Sequence, residues 1–82
     1  MWFVYILRCS DGSLYTGITT DLARRLKEHS GGRKGSKFSR SRRPVKIVYS
    51  EKVPDRSGAL KREIEIKQLS KEKKEELLRG RR

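Results

Sequence analysis

The chain has 82 residues, room for one domain and not for a second module. It carries 22 Lys and Arg against 10 Asp and Glu, a formal charge of +12, and only 33% of its positions are hydrophobic. Leu, Ile, Val and Phe still exceed the floor of about 20% below which a charged chain buries no core, so a small but real fold is expected. The longest apolar run, Trp2 to Leu7, is too short to cross a bilayer and is followed by Arg8 with no signal-peptide pattern, which predicts a soluble, cytoplasmic protein with no membrane attachment. One cysteine, Cys9, and one histidine, His29, exclude an internal disulfide and a structural zinc site.

In chain order, Trp2 to Cys9 and Leu14 to Thr19 are rich in β-branched and aromatic residues, and Ser10-Asp11-Gly12 between them is turn chemistry. An antiparallel hairpin follows, in either of two registers. A two-residue Asp-Gly turn pairs Ser10 with Ser13 and sends Tyr5 and Tyr15 to opposite faces. A three-residue Ser-Asp-Gly loop, with Gly12 left-handed, pairs Cys9 with Ser13 and puts both tyrosines on one face. Asp21 to His29 is a short helix, capped by Thr20 or Asp21, with Leu22 and Leu26 inward, Arg25 and His29 one turn apart, and Gly31-Gly32 at its end. Val45 to Val53, bracketed by Pro44 and Pro54, reads as a third strand with Val45, Ile47 and Tyr49 on one face. Helices are expected from about Arg56 to Leu69 and from Ser70 to Arg79, with Gly80 at the end. The order β-β-α-β-α-α predicts an α+β fold over residues 1–82, a small three-stranded antiparallel sheet flanked by helices.

Two features stand apart from this scaffold. Residues 33–50 carry seven cations and no acid. Such a run, here Arg33, Lys34, Lys37, Arg40, Arg42 and Arg43, attracts a polyanion by releasing its counterions, and nucleic acid fits better than a membrane because there is no amphipathic apolar face. Phe38 within it is expected to turn into the core. The second feature is Glu63. Projected at about 100° per residue, Ala59, Leu60, Ile64 and Ile66 form an apolar arc with Glu63 inside it. A core-facing carboxylate is costly unless it is paired or binds a cation, and Lys67 one turn on is its obvious ion partner.

Phe3-Val4-Tyr5, then Tyr15-Thr16-Gly17 ten residues on, Asp21-Leu22-Ala23-Arg24-Arg25-Leu26 with His29, and Ala59-Leu60-Lys61-Arg62-Glu63 resemble the GIY-YIG nuclease superfamily in order and spacing. The resemblance covers nearly the whole chain. It looks closest to the small stand-alone bacterial YhbQ-like members, and is similar more distantly to the catalytic subunit of the eukaryotic endonuclease that cuts branched DNA. Phe3 stands where the family pattern has glycine and Thr16 where it has isoleucine. The resemblance implies that Tyr5 and Tyr15 are paired site tyrosines, Arg25 the site arginine, His29 a proton acceptor or phosphate donor, Glu63 the metal ligand and Gly17 a structural glycine. It also implies the three-residue loop, the register that brings the tyrosines together. The chemistry is consistent with these roles. A divalent cation on Glu63, Mg2+ or Mn2+, would clamp the phosphate, and Arg25 suits a bidentate phosphate contact. A phenol would act as base only if the metal and Arg25 lower its pKa.

The expectation is therefore metal-dependent hydrolysis of DNA, with structure-selective cutting in repair or recombination as its finer form. Its rivals are a basic DNA- or RNA-binding module that does not cut, and a nuclease subunit that needs a protein partner for specificity.

Overall fold

The structure, a computed structural model, describes residues 1–30 and 45–80, with the backbone alone at His29 and Ser30. Strands β1 (Trp2–Cys9) and β2 (Leu14–Thr19) form the hairpin, followed by α1 (Leu22–Ser30), β3 (Val45–Val53), α2 (Arg56–Lys67) and α3 (Lys71–Gly80). The fold is α+β with the element order β-β-α-β-α-α, and the sheet is antiparallel throughout in the order β2-β1-β3. β1 is the middle strand, covered on both faces, which is why it reads as a nearly unbroken apolar run.

The hairpin takes the three-residue loop. The Cys9 N–H donates to the Ser13 carbonyl (3.0 Å), and the Gly12 N–H closes the turn on the Cys9 carbonyl (2.9 Å). Gly12 has φ +86°, a conformation that costs glycine little. Asp11 fixes the exit by accepting from the Ser13 N–H at 3.0 Å. The resulting register pairs Tyr5 with Gly17 and Leu7 with Tyr15, so the two tyrosines share a face.

Each face of the sheet has its own cover. Val4 and Ile6 of β1, with Tyr49 of β3, pack on Ala59 and Ile66 of α2, and Leu77 and Leu78 of α3 close the margin. α3 buries no residue completely and is held also by Arg8, whose Nη2 and Nη1 donate to the Glu75 carboxylate at 2.7 and 3.2 Å. Arg62 of α2 reaches β3, its Nε donating to both oxygens of Glu51 at 3.1 and 3.2 Å. Arg56 lies over the Trp2 ring at 6.0 Å. The opposite face, carrying Tyr5, Leu7 and Tyr15, receives Arg25 from α1.

Two expectations from the sequence are corrected. β3 does not keep Val45, Ile47 and Tyr49 on one face. Its pairing with β1 shifts between Ile6 and Leu7, so that Leu7 meets Ile47 while Ile6 meets Tyr49 and Val48 is the extra residue. This β-bulge turns Tyr49 and Glu51 to the α2 side and leaves Val45 and Ile47 with the tyrosines. The apolar arc of α2 is also narrower than its sequence suggests: Ala59 and Ile66 are fully buried, but Leu60 and Ile64 are exposed. The helix meets the sheet along the Ala59–Ile66 line, and Glu63 lies at the edge of that contact.

Local signals set the helix starts. Asp21 caps α1, accepting from the Arg24 N–H at 3.0 Å. Asp55 caps α2 through the Gly58 N–H at 2.7 Å, and Ser70 caps α3 through the Lys73 N–H at 3.1 Å. In each case the cap side chain satisfies a donor that the first turn leaves free. No helix of the described residues is long and apolar enough to cross a membrane. Phe38, the basic run from Arg33 to Arg43, and Gly31-Gly32 lie outside the described residues.

Candidate active site

The hairpin register and the α1 cap together decide where the chemistry-bearing side chains meet. Tyr5 and Tyr15 stand diagonally across β1 and β2, with ring centroids 6.4 Å apart and planes tilted by 37°. Arg25, one turn into α1 from Asp21, donates from Nε to the Tyr5 hydroxyl at 3.2 Å and from Nη1 to Glu28 Oε1 at 2.9 Å. Tyr5 is 1% exposed, whereas Arg25 and Glu28 keep 31% and 25% of their side chains open.

Gly17 lies directly under this arrangement. A Cβ at its position would stand 2.5 Å from the Tyr5 hydroxyl oxygen and 2.7 Å from its Cζ. The pairing of Tyr5 with Gly17 is regular and φ at Gly17 is not positive, so the glycine marks neither a bulge nor a helix approach. It is the seat on which the Tyr5 ring lies. Thr16, the departure from the family pattern beside it, is paired with Ile6 on the opposite, helix-covered face and is buried.

Glu63 comes from α2, which packs on β2 and β1. Its charge is among the influences acting on the Tyr5 phenol. The side chain is 17% exposed, and Oε2 is 3.2 Å from Lys67 Nζ. The expected ion pair is therefore present, with Lys67 half in solvent. Among the described residues no three His, Cys, Asp or Glu side chains gather as a metal cluster. A single carboxylate suits a hard cation that keeps most of its water, such as Mg2+, and does not suit zinc, which wants three or four protein ligands. The donor chemistry at Glu63 thus fits a Mg2+-type ion, which would compete with the half-exposed ammonium of Lys67. His29 lies on α1 one turn after Arg25, with its side chain outside the described part.

The electrostatics depart from one expectation. Burial pushes the Tyr5 phenol above its ordinary value of 10.0; Arg25 pulls it down by hydrogen bond and charge without overcoming burial, and Tyr15 and Glu63 push it up. Arg25 is itself held firmly protonated, mainly by its bond to Tyr5 and secondarily by Glu28. Tyr49 on the other face is also raised, by burial and by its hydrogen bond to Glu51. An unfolded tyrosine releases its proton near pH 10, so above about that pH the native state holds protons that the unfolded state has lost. Stability therefore falls as pH rises past about 10 until the native phenols ionise. The expected result is a phenolate absorbance titration that lags in the native protein relative to the denatured one, with an unfolding midpoint that drops over the same alkaline range. Superimposed titration curves would contradict the burial of these two rings.

Sequence reasoning missed Glu28 as a member of the site, although its position three residues after Arg25 on a helix was a sufficient signal.

A three-stranded antiparallel sheet, a tyrosine pair on one face, an arginine on the first helix and a part-buried glutamate on the second are in keeping with a nuclease-type catalytic domain. The chain belongs to the GIY-YIG family, whose catalytic domain it matches over residues 1–76. It is 58% identical over 79 residues to a UPF0213 protein of Desulfotalea psychrophila, covering 96% of this chain and 72% of that one. A UPF0213 protein of Staphylococcus aureus is 49% identical over 79 residues, covering 96% and 95%. The solution NMR structure of UPF0213 protein BH0048 from Bacillus halodurans is similar with a TM-score of 0.60 and 48% identity, over 95% of this chain and 83% of that one. These small relatives place the chain among the stand-alone, YhbQ-like members of the family.

Proposed function

We propose that the chain is a metal-dependent endonuclease that hydrolyses DNA phosphodiester bonds, working in the cytoplasm as a single domain over residues 1–82. The observation that carries the reading is the Arg25 to Tyr5 hydrogen bond beside Tyr15, a cation and a phenol held together between the first helix and a nuclease-family sheet. Arg25 binds a phosphate oxygen and keeps the Tyr5 oxygen in place; once its own proton has gone to solvent, the Tyr5 phenolate takes the proton of the attacking water. Tyr15 orients Tyr5, His29 takes up or donates a proton, and Glu63 would hold the cation. When bound, a divalent ion supplies charge neutralisation at the phosphate and lowers the cost of ionising a neighbouring hydroxyl. Because burial, chiefly, raises the Tyr5 phenol further above its ordinary value, that second contribution is the one this site most needs. Arg33, Lys34, Lys37, Arg40, Arg42 and Arg43 supply the backbone contacts, in keeping with the +12 charge.

On this reading the substrate is branched DNA of the kind met in repair or recombination, recognised by its shape, or a protein partner supplies the specificity. The test is cleavage of labelled linear, flapped and four-way DNA by the purified chain with magnesium, manganese or chelator, beside Glu63→Ala. Metal-dependent nicking lost in the variant supports the reading. Salt-steep binding with no cutting, unchanged by Glu63→Ala, supports a non-catalytic binding module instead. Cutting that appears only with a recurrent partner identifies a dependent subunit.

A further inference from the structure

We propose that Glu28 is a positioning residue of the site: it holds Arg25 on the Tyr5 hydroxyl and directs an incoming phosphate to the edge of the guanidinium that Tyr5 shares. A guanidinium offers an anion two edges, one formed by Nε and a terminal nitrogen and one formed by the two terminal nitrogens. Here Nε is given to Tyr5 at 3.2 Å and Nη1 to Glu28 at 2.9 Å, so Nη2 stands between two engaged neighbours. An anion approaching the terminal edge meets the negative carboxylate of Glu28. One approaching the Nε edge meets the Tyr5 hydroxyl, neutral before the reaction, in place of a carboxylate paired to the guanidinium. Glu28 thus closes the unproductive edge and fixes the Arg25 side chain, which has several rotatable bonds and 31% exposure, in the rotamer that meets Tyr5.

An ordinary helix-surface ion pair would have no reason to share its arginine with a tyrosine that is 1% exposed on the neighbouring sheet. The steering of phosphate rests on the nuclease reading; the holding of Arg25 on Tyr5 does not. The two are separated by measuring Tyr5 itself.

Tyr5 meets Arg25 and Tyr15 and feels the charge of Glu63, and Arg25 is the influence that favours its ionisation. If Glu28 acts by holding Arg25, Glu28→Ala frees the guanidinium and the Tyr5 phenol ionises at higher pH than in the wild type. Glu28→Gln, whose amide oxygen still accepts from Nη1, leaves it close to the wild type. If Glu28 acts only through its negative charge, both variants move Tyr5 the opposite way, to lower pH. The experiment is NMR of isotope-labelled tyrosine at Cζ, with the Tyr5 signal assigned by its loss in Tyr5→Phe. It is accompanied by cleavage kinetics on the best substrate.

An upward shift in Glu28→Ala alone, with kcat reduced on the order of ten-fold and restored by Glu28→Gln, supports the proposal. A downward shift in both variants, or no shift in either, overturns it. Should the wild type cut no DNA, the nuclease reading fails and the direction of the Tyr5 shift still decides the role of Glu28.

Discussion

Replacing Gly17 by alanine is expected to reduce DNA cleavage by about 100-fold or more while leaving the chain folded. The added methyl would stand 2.5 Å from the Tyr5 oxygen, 2.7 Å from Cζ and 3.1 Å from Cε2, each inside normal contact distance. The backbone at Gly17 is compatible with alanine, since φ is not positive, so the ring must move rather than the strand. Tyr5 is enclosed, and a displacement of even about 1 Å takes its hydroxyl off Arg25, a misplacement of the size that costs about 100-fold in rate. The stability cost is that of overpacking, about 1–3 kcal/mol, less than the native state holds. Cleavage rates and urea unfolding of Gly17→Ala check both halves. Tyr5→Phe removes the atom closest to the new methyl, so the two substitutions together should destabilise less than their separate costs added. An alanine variant that cuts at the wild-type rate would show that the seat is not needed.

Ile66→Ala is expected to produce the largest loss of stability. Ile66 is 0% exposed and packs in the cluster with Val4, Ile6, Tyr49 and Ala59. Truncating such a side chain costs about 2–5 kcal/mol, through lost transfer energy and the cavity left behind. At roughly 0.05–0.15 kcal/mol per residue the whole domain is worth about 4–12 kcal/mol, so this one change removes a large share. Ile64→Ala, two positions away but 55% exposed, is expected to stay within about 0.5 kcal/mol of the wild type. Urea denaturation of the pair distinguishes them, and equal losses would contradict the assignment of the buried line on α2.

That pair of isoleucines marks where the sequence stops being sufficient. Strands, helices and their order were legible because turn and cap chemistry is local: Gly12 must take a positive φ, and Asp21, Asp55 and Ser70 satisfy donors a few residues away. The strand ends Trp2, Cys9, Leu14, Thr19, Val45 and Val53 agree with the apolar pattern, and the helix ends differ by a residue or two where fraying and capping compete. The site residues were legible only as a joint spacing. Taken singly, Tyr5 and Tyr15 read as sheet filler and Arg25 as a solvated charge.

Other features were left open by local sequence physics and settled by contacts between elements. Two loop lengths suit Ser10-Asp11-Gly12, and the one that forms is the one that brings the tyrosines together. The bulge at Val48 reverses the strand face between Ile47 and Tyr49, and an alternating pattern carries no trace of it because both residues are apolar. The helix period allows several buried lines on α2, and docking on β1 and β2 selects Ala59 and Ile66 over Leu60 and Ile64. The meaning of Gly17 and the net rise of the Tyr5 phenol likewise depend on distance and burial, which spacing along a chain does not encode. The sequence by itself determined the elements, the charge and the family pattern. The tertiary structure decided which faces meet and which groups share a proton, because both depend on packing and solvent exclusion, the terms that exist only once the chain has closed on itself.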